Sequence, residues 1–119
     1  MTARLYGLKN CDSCRSARGW LDKHGVDYQF MDIREHALDA ATLARWCCAI
    51  DWSILLNRRS TTWRSLDESE KQVLDAAGAC RLMHKYPTLL KRPVLDGAGE
   101  LLVGFKADEY TRVLGTKHE

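Results

Sequence analysis

Residues 3–8 form a short apolar-rich run that ends at Gly7 and predict a first strand. The period then changes. From about residue 12 to residue 24, Ala17, Trp20, Leu21 and His24 recur at helical spacing on one face, and Gly25 follows as a stop signal. Val26 to Ile33 predicts a second strand, with Val26, Tyr28 and Phe30 on one side and Met31 and Ile33 on the other. Apolar residues on both faces predict a covered, parallel strand. Strand, helix and strand within about thirty residues make a βαβ unit.

The middle of the chain, about residues 38–86, reads as helical. Leu43, Trp46, Cys47 and Ile50 fall at i, i+3, i+4 and i+7. Asn57 to Arg64, with Ser60-Thr61-Thr62, reads as a polar loop; Glu68 to Leu74 reads as a short helix capped by Asp67, and Asp75 caps another reaching Tyr86, just before Pro87. Strand signals then return. Pro93-Val94-Leu95-Asp96 and Glu100-Leu101-Leu102-Val103 flank Gly97-Ala98-Gly99 as a β-hairpin, and Asp108 to Leu114 reads as a closing helix. The order βαβ, helices, ββα predicts one α/β domain over residues 1–119. Its outer parts match a thioredoxin-like fold, with a helical insertion over about residues 38–86.

Composition narrows the function. The 119 residues suit one domain, and 45% hydrophobic with 29% charged residues argues against disorder. A net charge of +2, with basic residues scattered along the chain, gives no reason to expect nucleic acid as a partner. No apolar run approaches the ~20 residues that cross a bilayer, so no membrane partner is expected. The start, Met1-Thr2-Ala3-Arg4-Leu5-Tyr6, lacks a signal-peptide core, and the expected compartment is the cytoplasm, where thiols stay reduced. The five cysteines cannot all pair within the chain, and Cys11-Asp12-Ser13-Cys14 points to redox or metal chemistry before a structural staple.

Cys11 falls where the first strand turns into the first helix. The opening amides of a helix lack intrahelical partners and concentrate positive partial charge. A thiolate is favoured there, and the thiolate is the nucleophile. Lys9 and Arg15 are close enough in sequence to add to the effect. Cys14, three residues on, reads two ways: as the resolving thiol for a disulfide with Cys11, or as a core residue three before Ala17. Zinc fits less well. Adjacent Cys47-Cys48 has the wrong spacing for a second ligand pair, and His24, His36, His84 and His118 are dispersed. A Cys-x5-Arg phosphatase loop also fails, because Ala17 stands where the arginine would be. No metal and no tightly bound cofactor are expected.

Asn10-Cys11-x-x-Cys14-Arg15, the stretch Leu55 to Arg64 and Lys91-Arg92-Pro93-Val94-Leu95 together resemble the arsenate reductase (ArsC)/Spx family, in particular its YffB-like branch. The resemblance runs nearly end to end. It implies a thioredoxin fold with an inserted helical subdomain, a nucleophilic Cys11, an anion-binding Arg92, and Pro93 as the cis proline of such folds. Arsenate reductases of this type surround the cysteine with three arginines. Here Arg92 matches one, Asn57 stands at the first position with Arg59 two residues later, and Phe105 stands at the third. Losing two guanidinium forks weakens the case for a tetrahedral oxyanion substrate.

The YffB-like branch instead implies glutathione-dependent thiol reduction. Glutathione or a mixed disulfide would be the substrate, glutaredoxin a further partner, and Arg92 or Arg59 would grip carboxylates bidentately. The Spx-like alternative is a redox switch that binds RNA polymerase. That contact uses a glycine in the helical insert, where this chain has Asp51-Trp52-Ser53 with a bulky Trp52. Asn10 either orients the cysteine loop or caps its turn. Cys47 belongs to an apolar helix face, Cys48 lies off it, Cys80 reads as helix packing, and Trp46 and Trp63 read as core anchors.

Overall fold

The computed structural model describes residues 2–72 and 75–115. The chain forms two compact units: Met1–His36 with Arg92–Glu119, and the intervening Ala37–Lys91.

The first unit is a sheet with the strand order β2-β1-β3-β4, built from β1 (Ala3–Gly7), β2 (Tyr28–Asp32), β3 (Val94–Asp96) and β4 (Leu102–Val103). β1 pairs parallel with β2, placing Leu5 opposite Phe30, and antiparallel with β3, placing Leu5 opposite Leu95. The hairpin partner β4 sets Leu102 against Leu95. β1 is thus an inner strand, and its carboxyl end carries the chain into α1 (Asp12–Lys23). The expected parallel pairing of the second strand is present, but the strand is not covered on both faces. β2 is a sheet edge with one neighbour; Gln29 is exposed, and Tyr28, Phe30 and Met31 are half-buried.

α1 buries Cys14, Ala17 and Leu21, a stripe at three- and four-residue spacing. It ends in a Schellman arrangement. Gly25 adopts φ +66°, the Gly25 N–H reaches the Asp22 carbonyl at 3.2 Å, and the Val26 N–H reaches the Leu21 carbonyl at 3.0 Å. The core of this unit gathers Ala3, Leu5, Ala17, Leu21, Leu95, Leu102 and Tyr110. Tyr110 comes from the closing helix α6 (Ala107–Leu114), edge-on to Trp20 at 5.5 Å and to Phe105 at 4.9 Å. Arg112 grips Glu100 through two bonds of 3.0 and 3.1 Å, fastening α6 to the hairpin.

The second unit is helical: α2 (Ala40–Ala49), α3 (Trp52–Leu55), α4 (Thr61–Ser65), α5 (Ala76–Lys85) and a 3-10 turn at Pro87–Leu89. Each α-helix opens on a side-chain cap. Asp39, Asp51, Ser60 and Asp75 accept from the amides of Thr42, Ser53, Trp63 and Gly78. The segment expected as a polar loop therefore contains α4, whose first turn is capped by the Ser60 hydroxyl. Conversely, residues 68–71 form a turn on Asp67 where a helix to Leu74 was expected, and Leu74 itself lies outside the described residues. Asp75 caps α5 as expected, and α5 stops at Tyr86. Trp46 is fully buried with Leu43 on the inner face of α2.

Candidate active site

The site begins in a tight turn. After β1, the Cys11 N–H reaches back to the Leu8 carbonyl at 3.4 Å, and Asn10 is exposed at the turn's tip. Cys11 has extended backbone, φ −101° and ψ 127°, while its carbonyl already accepts the Arg15 N–H at 2.9 Å. It is the N-cap of α1, with a half-exposed sulfur.

No regular side-chain cap bond forms at the resting thiol, yet polar groups surround the sulfur. Burial is the largest single influence and pushes its pKa up. The Cys14 amide, the Cys14 thiol, the Ser13 hydroxyl and the Arg92 side chain together outweigh burial and bring the pKa below the ordinary thiol value. Ser13 Oγ lies 3.8 Å from Cys11 Sγ. Cys14 has the opposite fate. It is fully buried, and that burial, with the neighbouring Cys11, pushes its thiol up to about 12. The result is a pair of adjacent sulfurs driven apart in acidity, with Cys14 protonated and donating to Cys11.

Arg92, two residues before β3, acts on both sulfurs. The Arg92–Pro93 peptide is cis, as the resemblance implies, and Pro93 is buried with its carbonyl accepting the Gly104 N–H at 2.8 Å. The structure thus brings Cys11, Cys14, Arg92 and Pro93 into one unit.

The other expected residues are placed differently. Arg15 pairs with Asp12 one turn away, and Lys9 pairs with Glu35 at 3.1 Å. Arg59 belongs to the second unit, where its N–H meets Asn57 Oδ1 at 3.0 Å. There Arg58, Arg59 and Lys91, with Ser53, Leu56 and Asn57, line an open cleft of about 440 Å³. The Arg58 guanidinium lies 5.6 Å from the Trp52 ring and 5.8 Å from that of Trp63.

Two contributors escaped the sequence reading. Ser13 lies inside the cysteine motif, but nothing in a sequence shows which way its hydroxyl turns. Gly7 ends β1 against Cys14 and leaves no room there for a side chain. Among the described residues, no cluster of three or more His, Cys, Asp or Glu side chains is arranged to hold a metal ion.

The ArsC family profile matches residues 6–113, which include the turn, the cysteine motif, Arg92 and Pro93. The chain belongs to the ArsC family. The solved structure of a YFFB protein is 48% identical, superimposes with a TM-score of 0.90, and is matched over 95% of this chain and 99% of its own. An arsenate reductase (ArsC) related protein from Brucella melitensis is 46% identical with a TM-score of 0.72, over 94% of this chain and 93% of its own. The global transcriptional regulator Spx of Streptococcus pyogenes is 33% identical over 107 residues, 88% of this chain and 79% of that protein. ArsC membership and these likenesses establish an α/β, thioredoxin-like fold interrupted by helices, and an oxidoreductase-like thiol site. The Phe105 ring packs edge-on against Tyr110 at 4.9 Å.

Proposed function

We propose that this ArsC-family protein is a thiol–disulfide oxidoreductase that reduces mixed disulfides with glutathione as co-substrate. The observation that carries the reading is the split between the two sulfurs: Cys11 is lowered and half-exposed, and Cys14 is buried and held up at about 12.

In the first step the Cys11 thiolate attacks the glutathione sulfur of the substrate mixed disulfide. A Cys11–glutathione disulfide forms, the original S–S bond breaks, and the departing substrate thiolate takes a proton from water. In the second step the thiolate of another glutathione attacks the glutathione sulfur of that disulfide, glutathione disulfide forms, and Cys11 leaves as the thiolate. The Cys14 S–H bond to Cys11 stabilises the leaving sulfur in this second step, just as it stabilises the attacking anion in the first. Cys14 keeps its proton throughout, which favours glutathione over Cys14 as the resolving thiol. Arg92, beside the sulfur, offers a fork for a glutathione carboxylate.

The test is turnover of a glutathione mixed disulfide by the purified protein, coupled to glutathione consumption. Loss of turnover in Cys11→Ser with retention in Cys14→Ser supports the reading. Full turnover by Cys11→Ser defeats it.

The second reading is a redox-sensing regulator that binds RNA polymerase. It is favoured by the Spx likeness and by the contact between the Cys11 and Cys14 sulfurs. Stable polymerase capture that depends on oxidation of this pair, without mixed-disulfide turnover, selects it. Arsenate reduction is less well served, because the sequence resemblance sets Phe105 where arsenate reductases of this type carry an arginine.

A further inference from the structure

The helical unit holds the three cysteines that the site does not use: Cys47 and Cys48 near the end of α2, and Cys80 in the middle of α5. α2 and α5 pack against each other, burying Leu43 and Trp46 from one and Ala79, Leu82 and Met83 from the other. Cys47 follows Trp46, and Cys80 follows Ala79, so each stands one position off its helix's buried stripe. There the Cys47 and Cys80 thiols come close enough to act on one another across the seam. Both are half-buried, and Cys48 beside them is exposed.

One cysteine at a helix seam is ordinary packing. Two cysteines from packed helices with thiols that act on one another are a dithiol set up to pair. Packed helices with axes about 8–10 Å apart bring facing Cα atoms into the range of roughly 4.4–6.8 Å that a disulfide spans.

We propose that Cys47 and Cys80 form a second redox pair, separate from Cys11, that closes to an interhelical disulfide on exposure to a hydroperoxide. Cys47, held at about 12 by burial and by Cys80, is the member of the pair that keeps its proton. Attack therefore falls to the Cys80 sulfur. It takes the terminal oxygen of the hydroperoxide, the O–O bond breaks, the alcohol or water leaves, and Cys80 becomes a sulfenic acid. The Cys47 sulfur then attacks Cys80, the S–S bond forms, and the hydroxyl departs with the Cys47 proton as water. Two thiols lose two electrons and two protons, and the hydroperoxide is reduced to an alcohol and water. The bridge closes the loop that contains α3, α4 and, from the lining of the cleft, Arg58 and Arg59.

The experiment uses the full-length reduced protein. It is treated with hydrogen peroxide, its remaining thiols are alkylated, and its peptides are read by mass spectrometry. The expected product joins the peptides of Cys47 and Cys80, and dithiothreitol restores both thiols. Cys47→Ser should abolish the bridge and leave a Cys80 sulfenic acid trappable by dimedone, whereas Cys48→Ser should leave the bridge intact. The proposal is overturned if Cys47 and Cys80 are both recovered alkylated while Cys11 is oxidised. It is equally overturned if Cys80 proceeds to the sulfinic acid with Cys47 still free, or if only Cys48-linked dimers form.

Discussion

Cys14 is seated directly against Gly7: a Cβ added at Gly7 would fall inside 3.0 Å of Cys14 Sγ and 3.4 Å from Cys14 Cβ. The last residue of β1 is thus kept bare by the sulfur that donates to Cys11. Gly7→Ala should cost about 1–3 kcal/mol, the usual range for overpacking a filled core, read from the urea midpoint. Removing the sulfur as well, in Gly7→Ala/Cys14→Ala, should recover part of that loss. Additive costs in the double variant would show that the two side chains do not compete for the same space.

Arg92 is expected to act on reactivity before stability. Arg92 is the weakest of the groups that lower the Cys11 pKa, so Arg92→Ala should slow Cys11 alkylation near neutral pH by less than about tenfold, the equivalent of one pKa unit. The midpoint for Cys11 alkylation should move up at the same time. Arg92→Lys should restore much of the midpoint through its charge, but less of the turnover, because the planar fork is lost.

Stability should fall on the alkaline side. The Cys14 pKa is raised from 9.0 to about 12 in the fold, so the unfolded chain releases this proton first. The resulting stability is fully present below pH 9 and is lost as pH rises toward 12. Cys47, raised over the same interval, adds to the loss. Cys11 is lowered and acts in the opposite sense, its contribution being present at high pH and lost as pH falls. Denaturant midpoints between pH 8 and 11 should decline, and Cys14→Ala should flatten the decline.

The strand and helix periods around the cysteine motif were legible because core-facing residues there obey simple spacing: Cys14, Ala17 and Leu21 in α1, and Leu5 between Phe30 and Leu95 in the sheet. Cys11 at the helix start was legible for the same reason, since a strand, a turn and a helix leave one place for it. What stayed hidden depends on contacts distant in sequence. Nothing near Cys47 announces Cys80, Gly7 reads as a strand end rather than a seat for Cys14, and β2 looks covered until its place at the sheet edge is known.

Local polar chemistry misled at Asp67, which holds a turn, and again at Ser60. Ser60-Thr61-Thr62 has a loop's composition, but Ser60 accepts the Trp63 N–H at 3.1 Å and donates to the Asn57 carbonyl at 2.9 Å, fixing the start of α4. Ser60→Ala should cost about 1 kcal/mol, as lost helix caps do, and Ser60→Asp should retain most of the stability. Thermal denaturation of the two variants checks both expectations.

The most direct measurement follows the rate of Cys11 alkylation against pH, with Cys14, Cys47, Cys48 and Cys80 monitored separately by mass spectrometry. Cys11 should titrate below the ~8.5 of a free thiol while Cys14 stays unreactive through pH 10. A Cys11 midpoint at or above that of a free thiol, or Cys14 alkylating in step with it, would show that the two sulfurs are not split in acidity.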